Sequence, residues 1–232
     1  MTISVVIPTL NEHENLARLL AELGSEADDV IVVDGGSTDD TCEIAQRAGT
    51  HLLKSPRGRG QQLARGADGA GGDILWFLHA DCRYPAGAVA QIRRLLGADP
   101  GLIGGNFRLL FDGDTKFDRW LDRFYARNRK RGLYYGDSGI FVRRDVYQRL
   151  GGIKPIALME DYDFVRRMER AGTTICIEDP PLITSSRRFH GRRKPAIVYG
   201  WLKIHALYYL GVAPEKLARI YDRRSGQGRR LV

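Results

Sequence analysis

The first hundred residues alternate short, nearly continuous apolar runs with stretches in which apolar positions recur every three or four residues. Ile3-Ser4-Val5-Val6-Ile7 is a short β-branched run ended by Pro8, which predicts a first strand. Asn11 with Glu14 three residues later makes a capping-box-like start. Leu16, Leu19, Leu20 and Leu23 then recur at helical spacing until Gly24. Val30 to Val33 predicts a second strand, and Ser37 or Thr38 can cap a helix that runs toward Ala48 and ends at Gly49. His51-Leu52-Leu53 is a weaker third strand, followed by a helix over about 60–70. Ile74-Leu75-Trp76-Phe77-Leu78 is apolar at every position, the pattern of a strand covered on both faces, and it stops at His79-Ala80-Asp81. Pro85 opens another helix to about Leu96. This alternation describes βαβ units and a mostly parallel sheet, hence an α/β fold.

After Pro100 the rhythm changes. Gly105 to Phe111 is a candidate strand, and Thr115 to Arg131 an amphipathic basic helix with Phe117, Trp120, Leu121, Phe124 and Tyr125 on one side. Ile140-Phe141-Val142 predicts a strand, 161–170 a helix, and 173–177 another short strand. Pro195 to Leu210 is an apolar, aromatic-rich helix interrupted by Lys203 and His205. The 232 residues fit one α/β domain with appendages better than two domains. No run approaches the roughly 18 uncharged apolar residues of a spanning helix. The first strand begins at Ile3 without the layout of a secretion signal, so a cytoplasmic protein is expected. Cys42, Cys82 and Cys176 are widely spaced and form no zinc pattern, which makes reduced thiols the default.

The net charge of +8 is concentrated in Arg119 to Arg131 and in Arg187 to Lys194 with the tail Arg223, Arg224, Arg229 and Arg230. Nucleic acid, an anionic membrane surface or a phosphorylated substrate would each account for that. No helix-turn-helix, zinc-finger or aromatic RNA platform is present, which argues against nucleic acid. The two aromatic helices can lie in a membrane interface, pack on the sheet, or form a homodimer contact. In open α/β sheets ligands collect at the carboxyl ends of strands. Two carboxylates are predicted there. Asp34, in Val33-Asp34-Gly35-Gly36-Ser37-Thr38-Asp39, can accept hydrogen bonds from a base or ribose, or can cap its own turn. Asp81 can ligate a metal that carries phosphate charge, or can cap the next turn. The first βα turn, Pro8-Thr9-Leu10-Asn11-Glu12, has no GxGxxG, and no Walker A pattern occurs.

Ser4-Val5-Val6-Ile7-Pro8-Thr9-Leu10-Asn11-Glu12 followed by Ile31-Val32-Val33-Asp34-Gly35-Gly36-Ser37-Thr38-Asp39 resembles the opening of family 2 glycosyltransferases with the GT-A fold. The similarity continues through Asp73-Ile74 to Asp81, Gly139 to Arg144 and Met159-Glu160-Asp161, and covers about residues 3–190. The resemblance implies a GT-A domain over 1–190, with a nucleotide-binding half (1–97) and an acceptor and catalytic half (98–190), and a C-terminal helical extension over 191–232. It implies nucleotide binding by Pro8, Glu12, Asp34, Arg59 and Asp81, a divalent metal (Mn2+ or Mg2+) on Asp81, and catalysis by Asp161 with Glu160. Gly136, Asp137, Ser138 and Gly139 match the turn beside sugar and acceptor, and Arg187 or Arg188 can pair with the diphosphate.

His79 stands where an aspartate is usual in Asp-x-Asp, as a metal ligand or packed beneath the site. His190 is a candidate second metal ligand, or a surface histidine among arginines. Ser185-Ser186-Arg187-Arg188-Phe189 replaces the Gln-x-x-Arg-Trp of processive members, so single additions are expected. The implied reaction is metal-dependent, inverting transfer from a nucleoside-diphosphate sugar to an acceptor hydroxyl. A narrower likeness is to short bacterial members, some of them associated with arsenosugar biosynthesis. The rivals are a sugar-phosphate nucleotidyltransferase, whose glycine-rich first loop is missing, and a non-catalytic sugar-nucleotide sensor or membrane-surface adaptor.

Overall fold

The computed structural model describes residues 1–225, so Arg229 and Arg230 of the basic tail lie outside the described residues. Seven strands form one sheet: β1 (Ile3–Thr9), β2 (Asp29–Asp34), β3 (His51–Lys54), β4 (Ile74–Phe77), β5 (Leu102–Phe111), β6 (Phe141–Arg143) and β7 (Thr173–Thr184), in the order β3-β2-β1-β4-β6-β5-β7. All neighbouring pairs are parallel except those made by β6, which runs against β4 and β5. The helices are α1 (His13–Leu23), α2 (Thr41–Arg47), α3 (Arg59–Gly69), α4 (Ala88–Ala98), α5 (Lys116–Arg129), α6 (Arg144–Arg149), α7 (Glu160–Ala171), α8 (Lys194–Tyr209) and α9 (Pro214–Ser225). The architecture is thus α/β, a mostly parallel sheet flanked by helices.

The uninterrupted apolar run of β4 follows from its central position. Ile74 and Trp76 join Ile3, Val5, Ile7, Leu16 and Leu19 on one side of the sheet. Leu75 and Phe77 join Val6, Ile31, Val33, Leu63 and Phe164 on the other. Both faces of the strand therefore need apolar side chains. Helix α3 lies nearly flush against β1 and β2 because Gly66 carries no side chain. A Cβ there would sit 2.3 Å from Val6 Cγ1 and 2.9 Å from Val33 Cγ2.

Three local expectations are corrected. Asn11 does not cap α1: its φ of +54° turns it away, and its Oδ1 accepts from Thr38 N–H at 2.8 Å, while its own N–H donates to Ser37 Oγ at 2.8 Å. Ser37 and Thr38 are thereby committed to joining the first two βα turns, and α2 starts later, at Thr41. β7 runs on to Thr184 rather than stopping at Ile177, because the Glu178 to Pro181 segment bulges opposite Arg108 and pairing resumes at Leu182. Of the alternatives open for α5, packing holds for its aromatic face, which is mostly internal. Leu121 is buried, and Phe117, Trp120 and Tyr125 pack with Leu109, Phe111, Phe189 and Ile197. Among the described residues no helix is long and apolar enough to cross a membrane.

Gly66→Ala is expected to lower stability. The helix-propensity gain of up to about 1 kcal/mol is outweighed by an overpacking cost of about 1–3 kcal/mol. A urea midpoint equal to or above that of the parent chain would contradict this packing.

Candidate active site

The carboxyl ends of β1, β2 and β4 present their turns on one edge of the sheet, as the parallel order requires. Asp34, at the end of β2, is fully buried. Its carboxylate accepts from Gly36 N–H (3.0 Å), Ser37 N–H (3.1 Å) and Lys54 Nζ (3.0 Å). Burial works against its charge, but these donors outweigh it and hold the group below the usual carboxylate range. Below the turn, Gln62 from α3 donates to Thr9 O and Val33 O, both at 2.8 Å, which fixes the ends of β1 and β2 against each other. Pro8 is buried in β1 opposite Val33. Lys54 and Gln62 carried no signal in the sequence: one ends a weak strand, the other is a polar residue within a helix.

Arg187, in the short 3-10 turn Arg187–Phe189 that follows β7, reaches back across the molecule to the first strands. Its guanidinium bonds Glu12 and lies 3.6 Å from Asp81 Oδ2. Burial pushes the Asp81 carboxyl up, and Arg187 only partly offsets it. Next along, Arg188 Nη2 donates to Asp137 at 2.8 Å. Burial raises the Asp137 carboxyl in spite of that partner. His190 Nε2 lies 3.1 Å from Ser186 Oγ, and Ser186 N–H is tied to Asp112 Oδ1 at 2.7 Å.

Glu160 and Asp161 begin α7, where the helix dipole favours negative charge. The residue before them, Met159, is buried with φ +71°, a conformation that costs a non-glycine residue about 1–3 kcal/mol. Asp161 accepts from Gly136 N–H at 2.8 Å on Oδ2 and from Tyr162 N–H at 2.7 Å on Oδ1. Arg59, at the start of α3, bonds Glu160 and lies 3.5 Å from Asp161 Oδ2. Arg59 is therefore brought to the acidic pair, whereas Lys54 is the cation at Asp34. Burial pushes Glu160 up more than Arg59 lowers it. Burial also opposes the Asp161 charge, but Arg59 and the two N–H donors prevail and keep it low. The two neighbours are thus moved in opposite directions, Glu160 upward by burial and Asp161 downward by Arg59 and its two N–H donors.

His79 sits beneath this point. A Cβ on Gly136 would be 3.2 Å from both His79 Nε2 and Asp161 Oδ2. The ring nitrogen is enclosed without a hydrogen-bond partner, and burial together with the Arg59 charge pushes the imidazole down to about 3, so it is neutral. On the far side of Asp161, Tyr135 OH donates to His205 Nε2 at 3.0 Å, since His205 Nδ1 faces Trp201 O at 2.9 Å. Tyr162 packs on the same imidazole with ring centres 5.1 Å apart. The sequence placed α8 but did not indicate that its inner face touches the two tyrosines flanking Gly136 and Asp161. Among the described residues, no three histidine, cysteine or acidic side chains come together as a metal cage.

The chain belongs to glycosyl transferase family 2, whose sequence profile matches residues 4–150. It is 30% identical over 167 residues to the glycosyltransferase AglE of Haloferax volcanii, covering 64% of this chain and 55% of that protein. It is 30% identical over 200 residues to a PGL/p-HBAD biosynthesis glycosyltransferase of Mycobacterium bovis, covering 78% and 72%. An uncharacterized glycosyltransferase of the same species is 35% identical over 46% of this chain and 49% of its own. The matched region thus spans about half the length of two of these relatives. Among solved structures, glucosyl-3-phosphoglycerate synthase from Mycobacterium tuberculosis, in complex with Mn2+, UDP and glucosyl-3-phosphoglycerate, superposes with a TM-score of 0.61 at 22% identity, over 97% of this chain and 80% of that one.

Replacing Arg59 by Ala would leave two buried carboxyl groups without their guanidinium, a loss of about 3–5 kcal/mol near neutral pH. With Arg59 present, the lowered Asp161 contributes stability above its unfolded pKa and loses it as pH falls through the folded value. Without Arg59 both folded-state values rise, so the variant's deficit is expected to shrink as pH is lowered from ~8 to ~5. Urea unfolding at the two pH values checks this; a deficit that grows toward acid would refute the charge assignment.

Proposed function

We propose that the chain is a metal-assisted, inverting and non-processive glycosyltransferase, which moves one sugar from a nucleoside-diphosphate sugar to an acceptor hydroxyl. The observation that carries this is Asp161, an ionised carboxylate fixed by Gly136 N–H and Tyr162 N–H and flanked by a neutral histidine. As the acceptor oxygen attacks the anomeric carbon, Asp161 takes its proton, and the bond from that carbon to the diphosphate oxygen breaks. Direct displacement of this kind inverts the anomeric centre. Glu160 holds Arg59, and through it the orientation of the base.

Pro8, Glu12 and Asp34 form the nucleotide side, completed by Arg59 at the junction with the base. Gly136, Asp137, Ser138 and Gly139 border the sugar and acceptor. Residues 1–97 would thus serve the nucleotide, 98–190 the acceptor and chemistry, and 191–232 would be an added helical segment. Asp81 suits a hard divalent ion of the Mg2+ or Mn2+ type. Its buried charge is only partly met by Arg187, and such ions bind through one or two carboxylates with phosphate oxygens and water completing the shell. Asp81 would hold the ion, with His190 as a late partner, and the ion when bound would offset the charge of the leaving diphosphate. Arg187 and Arg188 lie in the adjoining turn, suited to the same phosphates. The Mn2+ and UDP bound to the mycobacterial synthase support the donor class and the metal.

Calorimetry with UDP-, GDP- and dTDP-sugars in the presence of Mn2+ identifies the donor. Asp81→Ala is expected to abolish metal-dependent donor binding, and unchanged affinity would remove the metal assignment. Asp161→Asn is expected to keep donor affinity while transfer falls by about 10²–10⁴-fold; an active variant would exclude Asp161 as base. Donor binding indifferent to metal, with no donor hydrolysis, would favour a sugar-nucleotide sensor.

A further inference from the structure

Five large hydrophobic side chains are exposed among the described residues, and four of them belong to α8 or its last turn: Tyr199 (59%), Leu202 (64%), Tyr209 (65%) and Leu210 (78%). They are not scattered. Pro195, Tyr199, Leu202, Ala206 and Tyr209 follow one another at steps of three or four residues, so they form one stripe along the outer face of the helix, and all five are exposed. The opposite face is taken up by the protein, with Ile197 and Ile204 buried. A contiguous apolar stripe of this kind marks an interaction surface, whereas single exposed apolar residues would not.

The charges beside the stripe select the partner. From Pro180 to Pro214 the chain has no acidic residue, while it carries Arg187, Arg188, Arg192, Arg193, Lys194 and Lys203. A cavity of about 400 Å³ opens next to the stripe between α8 and α9, with Arg192, Arg193 and Lys203 beside Tyr199, Trp201 and Tyr221. Helix α5, joined to α8 through the Phe124 and Trp201 rings (6.3 Å), adds exposed Arg119, Arg123 and Arg127. A second copy of the chain would bring these cations face to face across a symmetric contact, which is unfavourable. An anionic surface would be attracted to them instead.

We propose that α8 docks this protein on an anionic lipid bilayer, with the stripe from Tyr199 to Leu210 in the headgroup and acyl boundary and Arg192, Arg193 and Lys203 on lipid phosphates. Sixteen residues span about 24 Å, short of the roughly 20 residues a spanning helix needs, so the helix lies in the plane of the interface. Tyrosines within the stripe suit the headgroup level. The docking does not depend on donor or metal, so it stands or falls separately from the catalytic reading.

Flotation of the full chain with phosphatidylcholine vesicles, with or without phosphatidylglycerol, tests it at low and high salt. The chain is expected to float with the anionic vesicles only, and less as salt rises. Leu202→Glu combined with Leu210→Glu is expected to weaken flotation by at least about tenfold without shifting the thermal melt, since both side chains point to solvent. Arg193→Glu with Lys203→Glu should weaken it similarly. Absence of flotation with anionic vesicles, or flotation untouched by the glutamates at Leu202 and Leu210, would overturn the proposal. So would a dimer in light scattering that Leu202→Glu converts to a monomer.

Discussion

The contact between α3 and the start of α7 is the constraint on which the site depends. Arg59 opens α3 and meets Glu160 and Asp161, two adjacent carboxyl groups that are almost completely buried. Burying such a pair without a counter-charge would cost several kcal/mol per ion. Arg59 can reach them only because α3 is clamped at both ends by glycines. A Cβ on Gly60 would lie 2.7 Å from Ile156 O in the segment leading to α7, and one on Gly66 would strike Val6 and Val33 in the sheet. The helix therefore transmits the position of the parallel strands to Glu160 and Asp161.

That coupling also organises the charge. The Arg59 guanidinium helps keep Asp161 ionised and pushes His79 toward the neutral form, while Glu160 stays raised by its burial. One cation thus lowers both Asp161 and His79, while Glu160 rises through burial in spite of it. At the neighbouring turn Arg187 links Glu12 and Asp81, which lie in the segments after β1 and β4 and would repel one another without a cation between them. The two arginines differ in burial. Arg59 is mostly enclosed and Arg187 is half exposed.

Much of the sheet was legible because its physical signature is local. The β-branched run of β1, the apolar runs of β2 and β4 and the leucine spacing of α1 each report burial by their own neighbours in sequence. The placement of Asp34 and Asp81 followed from where those runs stop. What was hidden depends on long-range contacts. Nothing adjacent to Asn11 shows that its side chain serves Thr38, so the capping-box pattern misled. Lys54 meets Asp34, Arg59 meets Glu160, and Arg187 meets Glu12, and in each case the partners come from separate elements. The strand expected over 173–177 continues instead through a bulge, and pairing resumes at Leu182. The resemblance to family 2 supplied candidate roles for these residues, while the contacts show which of them act on one another.

Helix α8 joins the interior of the site to the surface. Its inner face supplies His205 to Tyr135, the residue before Gly136, while Tyr209, at the end of the exposed stripe, turns only its hydroxyl back to that of Tyr162, the residue after Asp161. Its outer face carries the exposed apolar stripe. A helix with apolar side chains on both sides gains stability from only one of them in water, and the outer set costs solubility unless something covers it. Selection for packing alone would put polar residues at Leu202 and Leu210. Their apolar character, beside a segment without acids, therefore calls for an external partner. A partner on that face would lie one helix diameter, about 10 Å, from the tyrosines beside Gly136 and Asp161. In the glycosyl-transfer reading this makes the acceptor side the part of the site that such a surface would approach.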